Sequence, residues 1–250
     1  LRQILGYPAV FLGSSPKHTP ALYHLMSHLD LTQGVKYPLG GFAKLVDAMA
    51  ELCTKAGVKI VTGATAEGID TVQTGRHTRV DSVRWSDSRG ETHRLDASVV
   101  VGAADLHHIE TRLLPRKLRS SSDAAWKRRD PGPSAVLICL GIRGKLPKLL
   151  HHNLLFTQDW DENFGRIRRG EPLDTETSIY VCMPSATDPG VAPAGHENLF
   201  MLIPAPALPE WGTGGADGNG SEQVEAVADA ALAQLAAWVG IPDLAERVRV

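Results

Sequence analysis

The sequence lacks a dominant charge: 26 basic side chains stand against 28 acidic ones in 250 residues, a formal net charge of −2. A chain so balanced exerts no general pull on nucleic acid. Cysteine is scarce. Cys53, Cys139 and Cys182 are the three present, and their separation excludes a CxxC metal or redox pair. Each sits in an apolar run, where a thiol behaves as a small buried hydrophobe, and the odd count fits a cytosolic setting better than a secreted one. No apolar run reaches the ~18 residues that a spanning helix needs, and no signal peptide is legible. Familiar catalytic signatures are missing too: no GxGxxG follows a strand, and neither HExxH nor GxSxG occurs. In "WGTGGADGNG" (211–220) the dinucleotide pattern fails, because Asp217 stands where the third glycine is needed. His107 with His108, and His151 with His152, do not read as metal sites, since adjacent side chains on a helix or strand point to different sides. What remains is a globular mixture, 43% hydrophobic and 22% charged, long enough to bury a sizeable core.

Periodicity then sets out an α+β order of elements. Residues 20–31 place Leu22, Leu25, Met26 and Leu29 on one helical face, predicted to meet the core. In "GVKYPLGGFAKLVDAMAEL" (34–52), Gly40 and Gly41 open a helix over about 42–56. Its Phe42, Leu45, Val46, Met49, Leu52, Cys53 and Ala56 keep helical spacing, and Gly57 stops it. Unpaired N–H groups at such a start suit an anion, but the sequence signature of a phosphate site is absent. "VKIVTGATAEGI" turns to a strand pattern, and "TRVDSVRWSD" alternates strictly. After a turn at 88–90 comes "THRLDASVVVGAAD", in which 99–101 reads as a buried central strand. A basic stretch follows, with Arg112, Arg116, Lys117, Arg119, Lys127, Arg128 and Arg129. Beyond it "SAVLICLGI", "TSIYVCMP" and "NLFMLIPAP" predict sheet, and the "DPG" at 130–132 and at 188–190 predict turns. Ser221 caps a final helix with Val224, Val227, Ala231, Leu235 and Trp238 on one side.

The ordered series "GVKYPLGGFAKLVDAMAELCTKAGVKIVTGATAEGI" and "VDSVRWSDSRGETHRLDASVVVGAADLHHIETRLLP" resembles the phytoene desaturase family of carotenoid biosynthesis, within the flavin-containing amine oxidase superfamily. The shared features are an aromatic-Pro-x-Gly-Gly at a helix start, a strand ending in a nucleotide-contacting turn, a hairpin, and an apolar strand closing on Ala-Asp. "LRQILGYPAVFLGSSPKHTPALYHLMSHLDL", "AVLICLGI" and "SIYVCMPSATDPGVAPAGHENLFMLIPAP" continue the likeness in family order. It implies an α+β fold: a mixed β-sheet substrate domain with flanking helices, plus a small strand and hairpin portion of an FAD-binding domain. Residues 1–36 and 116–250 fall to the substrate domain and 37–115 to the inserted part of the FAD domain. The family's GxGxxG grip and its closing glycine-rich segment are not in these residues. On this reading they are the middle of a longer enzyme, inactive alone and not retaining FAD.

The resemblance implies dehydrogenation of phytoene or a similar polyene, with hydride passing to FAD. The alternatives are a related flavin enzyme (carotenoid isomerase, ketolase or amine oxidase) and, for the isolated piece, a non-catalytic lipid-binding module. By position, Ala66 would offer main-chain contacts to adenine. Gly102, Ala103 and Ala104 would let the strand end pass close to FAD, while Tyr37, Leu39 and Phe42 would border the flavin and substrate cavity. Each of these also reads as ordinary packing. No catalytic base is legible; Asp105 corresponds in position only, and a helix cap is its simpler role. The implied partners are a carotenoid substrate and a membrane surface. The basic stretch and the apolar "LFMLIPAPALPEW" would meet that surface from the cytoplasm, with no nucleic acid and no metal.

Overall fold

The computed structural model describes residues 2–8, 17, 19–130, 132–173 and 176–250. The family-like residues 9–16 and the middle of the first "DPG", at 131, lie outside them. The chain divides into two compact units, one of residues 1–48 with 131–250 and one of residues 49–130.

In the 49–130 unit, β1 (Thr65–Thr74), β2 (His77–Ser86) and β3 (Thr92–Asp96) form an antiparallel meander in the order β1-β2-β3. Gly75, at φ 60°, fills the first place of the two-residue turn between β1 and β2, where a right-handed ribbon favours positive φ. At the next turn both Asp87 oxygens are engaged. Oδ1 accepts from the Arg89 and Glu91 N–H groups at 2.9 and 3.0 Å, and Oδ2 meets His93 Nε2 at 3.1 Å. The His93 bond is the main reason the Asp87 carboxyl titrates below its ordinary range. Asp105 caps the turn Leu106–His108 by accepting from the His108 N–H at 2.7 Å, and a π-helical turn, Ile109–Leu113, continues it. Buried Glu110 then accepts from the Ser120 N–H (3.0 Å), the Ser120 hydroxyl and Trp126 Nε1 (3.2 Å), which fastens the basic stretch, with its short helix α4 (Asp123–Lys127), to that turn.

The predicted central strand at 99–101 is not found. Val99 and Val101 are 76% and 85% exposed in irregular backbone, and 58–64 likewise lies outside β1. A strand needs a hydrogen-bonding neighbour: the Ala97 N–H still bonds the Asp81 carbonyl on β2 at 3.0 Å, but among the described residues no strand pairs with 98–104.

The other unit holds α1 (Arg2–Gly6), α2 (His24–Gln33) and a four-stranded sheet in the order β4-β7-β6-β5. Its strands are β4 (Ser134–Arg143), β5 (His152–Leu155), β6 (Ile179–Cys182) and β7 (His196–Ala205). The α+β class expected from the sequence holds, with every pairing antiparallel rather than mixed. α5 (Trp160–Arg169) and α6 (Glu222–Val239) join one face of this sheet in the core. Val136, Ile142, Val181, Leu199, Met201 and Ile203 meet Phe164, Ile167, Val227, Ala231 and Leu235 there. Each fully buried Ile or Leu contributes about 1.5–3 kcal/mol, so this face carries most of the unit's stability. Asp159 caps α5 through the Glu162 N–H at 2.9 Å, and Gly170 and Gly240, at φ 72° and 71°, end the two helices. Gln234 ties α6 to the sheet, exchanging hydrogen bonds with the Thr177 main chain at 2.8 and 3.1 Å.

Several packing expectations are overturned. Leu22, Leu25, Met26 and Leu29 are exposed, as are Leu45, Val46, Met49 and Leu52 on α3 (Phe42–Lys55) and Trp238 on α6. Cys53 and Cys139 are exposed and Cys182 half-buried, so none is a core thiol. Ser221 precedes α6 as expected, but its Oγ accepts from the Thr213 N–H at 2.9 Å instead of capping the helix. Periodicity fixes which side of an element is apolar and is silent on whether anything covers that side.

Candidate functional site

The glycine pair belongs to a tight turn. The Gly41 N–H bonds the Pro38 carbonyl at 2.9 Å, and Gly40 and Gly41 take φ values of 86° and 82° that side chains with a Cβ adopt only under strain. The Gly40 N–H is spent on Asp188 Oδ2 at 2.6 Å, so it is not open to an anion. Asp188, 7% exposed, also accepts from the Gly190 N–H at 3.1 Å through Oδ1. Burial, and next the Asp188 charge, hold the Tyr37 phenol above its ordinary range. A carboxylate that the sequence offers only as a turn residue therefore anchors the glycine turn to the loop between β6 and β7.

Rings continue from there. Tyr37 sets its edge against His151 at 4.6 Å, and the His151 and His152 rings lie 4.4 Å apart. His151 Nδ1 meets Thr187 Oγ1 at 2.6 Å, and His152 Nδ1 meets the Tyr180 hydroxyl at 2.7 Å. Burial lowers the pKa of both imidazoles, which keeps them neutral near pH 7, and it raises both the Tyr180 phenol and the Cys182 thiol. The rule that adjacent histidines diverge does not apply at 151–152, because His151 sits in a bend just before β5 begins.

The ring cluster lies at one end of an apolar wall. In register across the sheet run Leu137, Leu202, Tyr180 and Leu154, and beside them Cys139, Phe200, Cys182 and His152. These side chains alternate with the core residues, so they line the sheet face opposite α5 and α6. Leu137 is 57% exposed, and Phe200, Leu202, Tyr180 and Leu154 are part-buried.

Of the residues expected at a site, Tyr37 joins this cluster. Leu39 and Phe42, flanking the glycine pair, are exposed, with no contact to the cluster among those described. Ala66 is exposed on β1, the edge strand of its sheet, opposite Trp85. Gly102, Ala103 and Ala104 are exposed and irregular, and a Cβ at Gly102 would stand 2.7 Å from Ile109 Cδ1, which accounts for that glycine by packing. Asp105 is engaged as a cap. Sequence reasoning missed Asp188, Tyr180, Phe200 and Leu202; the period-2 alternation of β6 and β7 held the signal for the last three.

The four-stranded sheet thus carries its core on one face and the apolar wall on the other, with the Tyr37, His151 and His152 rings at one end of that wall. Residues 2–250 match the family of flavin containing amine oxidoreductases, and the chain belongs to it. It is 39% identical over 249 residues to a carotenoid 3,4-desaturase of Haloarcula japonica, covering 99% of this chain and 46% of that protein. To a phytoene desaturase of Fusarium fujikuroi it is 30% identical over 206 residues, 82% of this chain and 34% of that one. The chain thus spans less than half the length of these relatives. The crystal structure of an oxidoreductase from Methanosarcina mazei shares the fold at a TM-score of 0.56 and 20% identity, over 83% of this chain and 44% of that one.

Proposed function

We propose that these residues are part of an FAD-dependent carotenoid desaturase that dehydrogenates phytoene or a similar polyene. The observation that carries the reading is the apolar wall. An antiparallel sheet that faces water on one side alternates polar residues there, whereas this one presents Leu137, Leu202, Phe200, Tyr180 and Leu154. A hydrocarbon laid on that face gains about 25 cal/mol for each Å² of apolar surface removed from water. In this reading residues 37–115 belong to the FAD-binding domain and the remainder to the substrate domain.

FAD, when bound, supplies the hydride acceptor, so the protein's own task is to hold a C–H bond in place and keep water away. The wall binds and orients the chain of carbons. Asp188 fixes the Tyr37 to Gly41 turn at one end of it. On the nucleotide side, Ala66 fits a main-chain contact because an edge strand turns part of its N–H and C=O groups away from its neighbour. Exposed Ala103 and Ala104 present little bulk to a nucleotide.

A substrate this insoluble is collected from a membrane, and this reading assigns that contact to the basic stretch, from the cytoplasmic side. Among the described residues Arg112, Lys117, Lys127 and Arg128 are exposed and form no ion pair, while Arg119 and Arg116 are paired with Asp123 and Arg129 lies over Trp126 at 4.2 Å. No described helix is long and apolar enough to cross a membrane.

The test is to give the full-length, flavin-loaded protein phytoene in liposomes and follow the products by chromatography and absorption. A longer conjugated system at unchanged carbon and oxygen count supports the desaturase. An isomer, an oxygenated product or unchanged polyene overturns it.

A further inference from the structure

One ring nitrogen from each of His151 and His152 and the Sγ of Cys182 all lie within 4.8 Å of one another. A tetrahedral ion with ligand bonds of about 2.0–2.3 Å separates its ligand atoms by roughly 3.3–3.8 Å, so a small side-chain adjustment closes the set.

The surroundings prepare the two imidazoles for a cation. The His151 ring is held at Nδ1, 2.6 Å from the Thr187 hydroxyl. The His152 ring is held in the same way, its Nδ1 2.7 Å from the Tyr180 hydroxyl, so Nε2 is the nitrogen of each ring left for a cation. A ligand imidazole whose other nitrogen is held by a hydroxyl is fixed in orientation toward the ion. The second cluster of possible ligands, Asp87, Glu91 and His93, lacks this preparation. There the carboxylate oxygens of Asp87 are spent on turn N–H groups, Arg89 and His93.

We propose that His151, His152 and Cys182 bind a zinc-class divalent cation through the two imidazoles and the Cys182 thiolate. Two neutral nitrogens and one sulfur suit a borderline-soft ion such as Zn²⁺ and disfavour Mg²⁺ or Ca²⁺, which take oxygen. Binding displaces the proton of the Cys182 thiol, which passes to solvent. The site does not depend on the desaturase reading, and an ion bound there would occupy the polar end of the apolar wall.

Zinc alone is the probe, titrated calorimetrically into untagged, chelator-stripped full-length protein, with the zinc X-ray absorption edge reporting the ligands. One ion is expected, with one sulfur near 2.3 Å and nitrogen near 2.0–2.1 Å. Cys182→Ser should lose the sulfur and weaken binding more than tenfold, and His152→Asn should weaken it similarly while keeping the sulfur. Tyr180→Phe keeps all three ligands and should weaken binding ten- to a hundredfold; it serves as the test if a ligand variant fails to fold. Zinc without a sulfur neighbour, or affinity unchanged in Cys182→Ser, overturns the proposal.

Discussion

Asp188 offers the sharpest test of how the candidate site is built. Its two carboxylate oxygens serve different donors, Oδ2 the Gly40 N–H at 2.6 Å and Oδ1 the Gly190 N–H at 3.1 Å. A hydrogen bond to a charged group contributes about 1.5–3 kcal/mol net when its partner is left buried and unpaired. Gly40 is exposed, so water replaces part of its loss, whereas Asp188 itself is 7% exposed. Asp188→Ala should therefore cost about 2–4 kcal/mol, which for a unit of this size lowers the melting temperature by roughly 5–15 °C. Asp188→Asn is the informative partner. An amide has one acceptor oxygen, so it can satisfy Gly40 or Gly190 but not both, and about half the loss should remain. Tyr37→Phe in the Asp188→Ala background should have a different cost from that in the parent, because the carboxylate that acts on the phenol is already gone. Thermal unfolding of the full-length variants measures all four. A melting temperature for Asp188→Ala within about 1 °C of the parent, or Asp188→Asn melting with the parent, refutes the anchoring role.

Leu137→Asn should leave stability within about 0.5 kcal/mol, since the side chain is 57% exposed, yet raise the KM for polyene roughly four- to twentyfold through the further burial, about 0.9–1.7 kcal/mol, that it forfeits; unchanged KM removes this residue from the wall. Leu235→Ala, on the core side, should cost about 2–5 kcal/mol, read as a lower denaturant midpoint, because Leu235 is fully buried. Hydrogen bonds, first from Ser120, lower the Glu110 pKa, so its contribution is present above the unfolded-state value and is lost as pH falls through the lower folded value. Acid titration of Glu110→Gln should show a flatter loss of stability below that unfolded value, and an unchanged slope would exclude Glu110 as its source. Lys117, Lys127 and Arg128, which are unpaired among the described residues, changed together to Glu should abolish flotation of the full-length protein with anionic liposomes at low salt. Undiminished flotation would remove the basic stretch from membrane contact.

The helix after the glycine pair, the turn at 88–90, three strands of the second sheet (β4, β6 and β7) and the final helix were legible because each is written in local chemistry; the turn at 75–76 and the short β5 were not read. Alternation, glycine at positive φ and capping residues act over a few positions. The strand at 99–101 was misread for the opposite reason: three consecutive valines state a preference for burial, and burial requires a neighbour that local sequence does not name. Cys53, Cys139 and the apolar sides of α2 and α3 failed in the same way. Tyr37 was placed near a site by likeness to a family, yet its partners His151 and Asp188 lie more than 100 residues away in the chain, and no spacing rule reaches that far.

By itself, the sequence determined the family, the α+β class and the identity of most elements, since these follow from residue order and short-range preference. Tertiary structure alone decided which apolar faces are covered, that the second face of the sheet forms an exposed apolar wall, and that Asp188 holds the glycine turn. It also brought two adjacent histidines to the same cysteine. These outcomes depend on strand register and loop closure, which join residues far apart in the chain by packing and hydrogen bonds that no local pattern encodes.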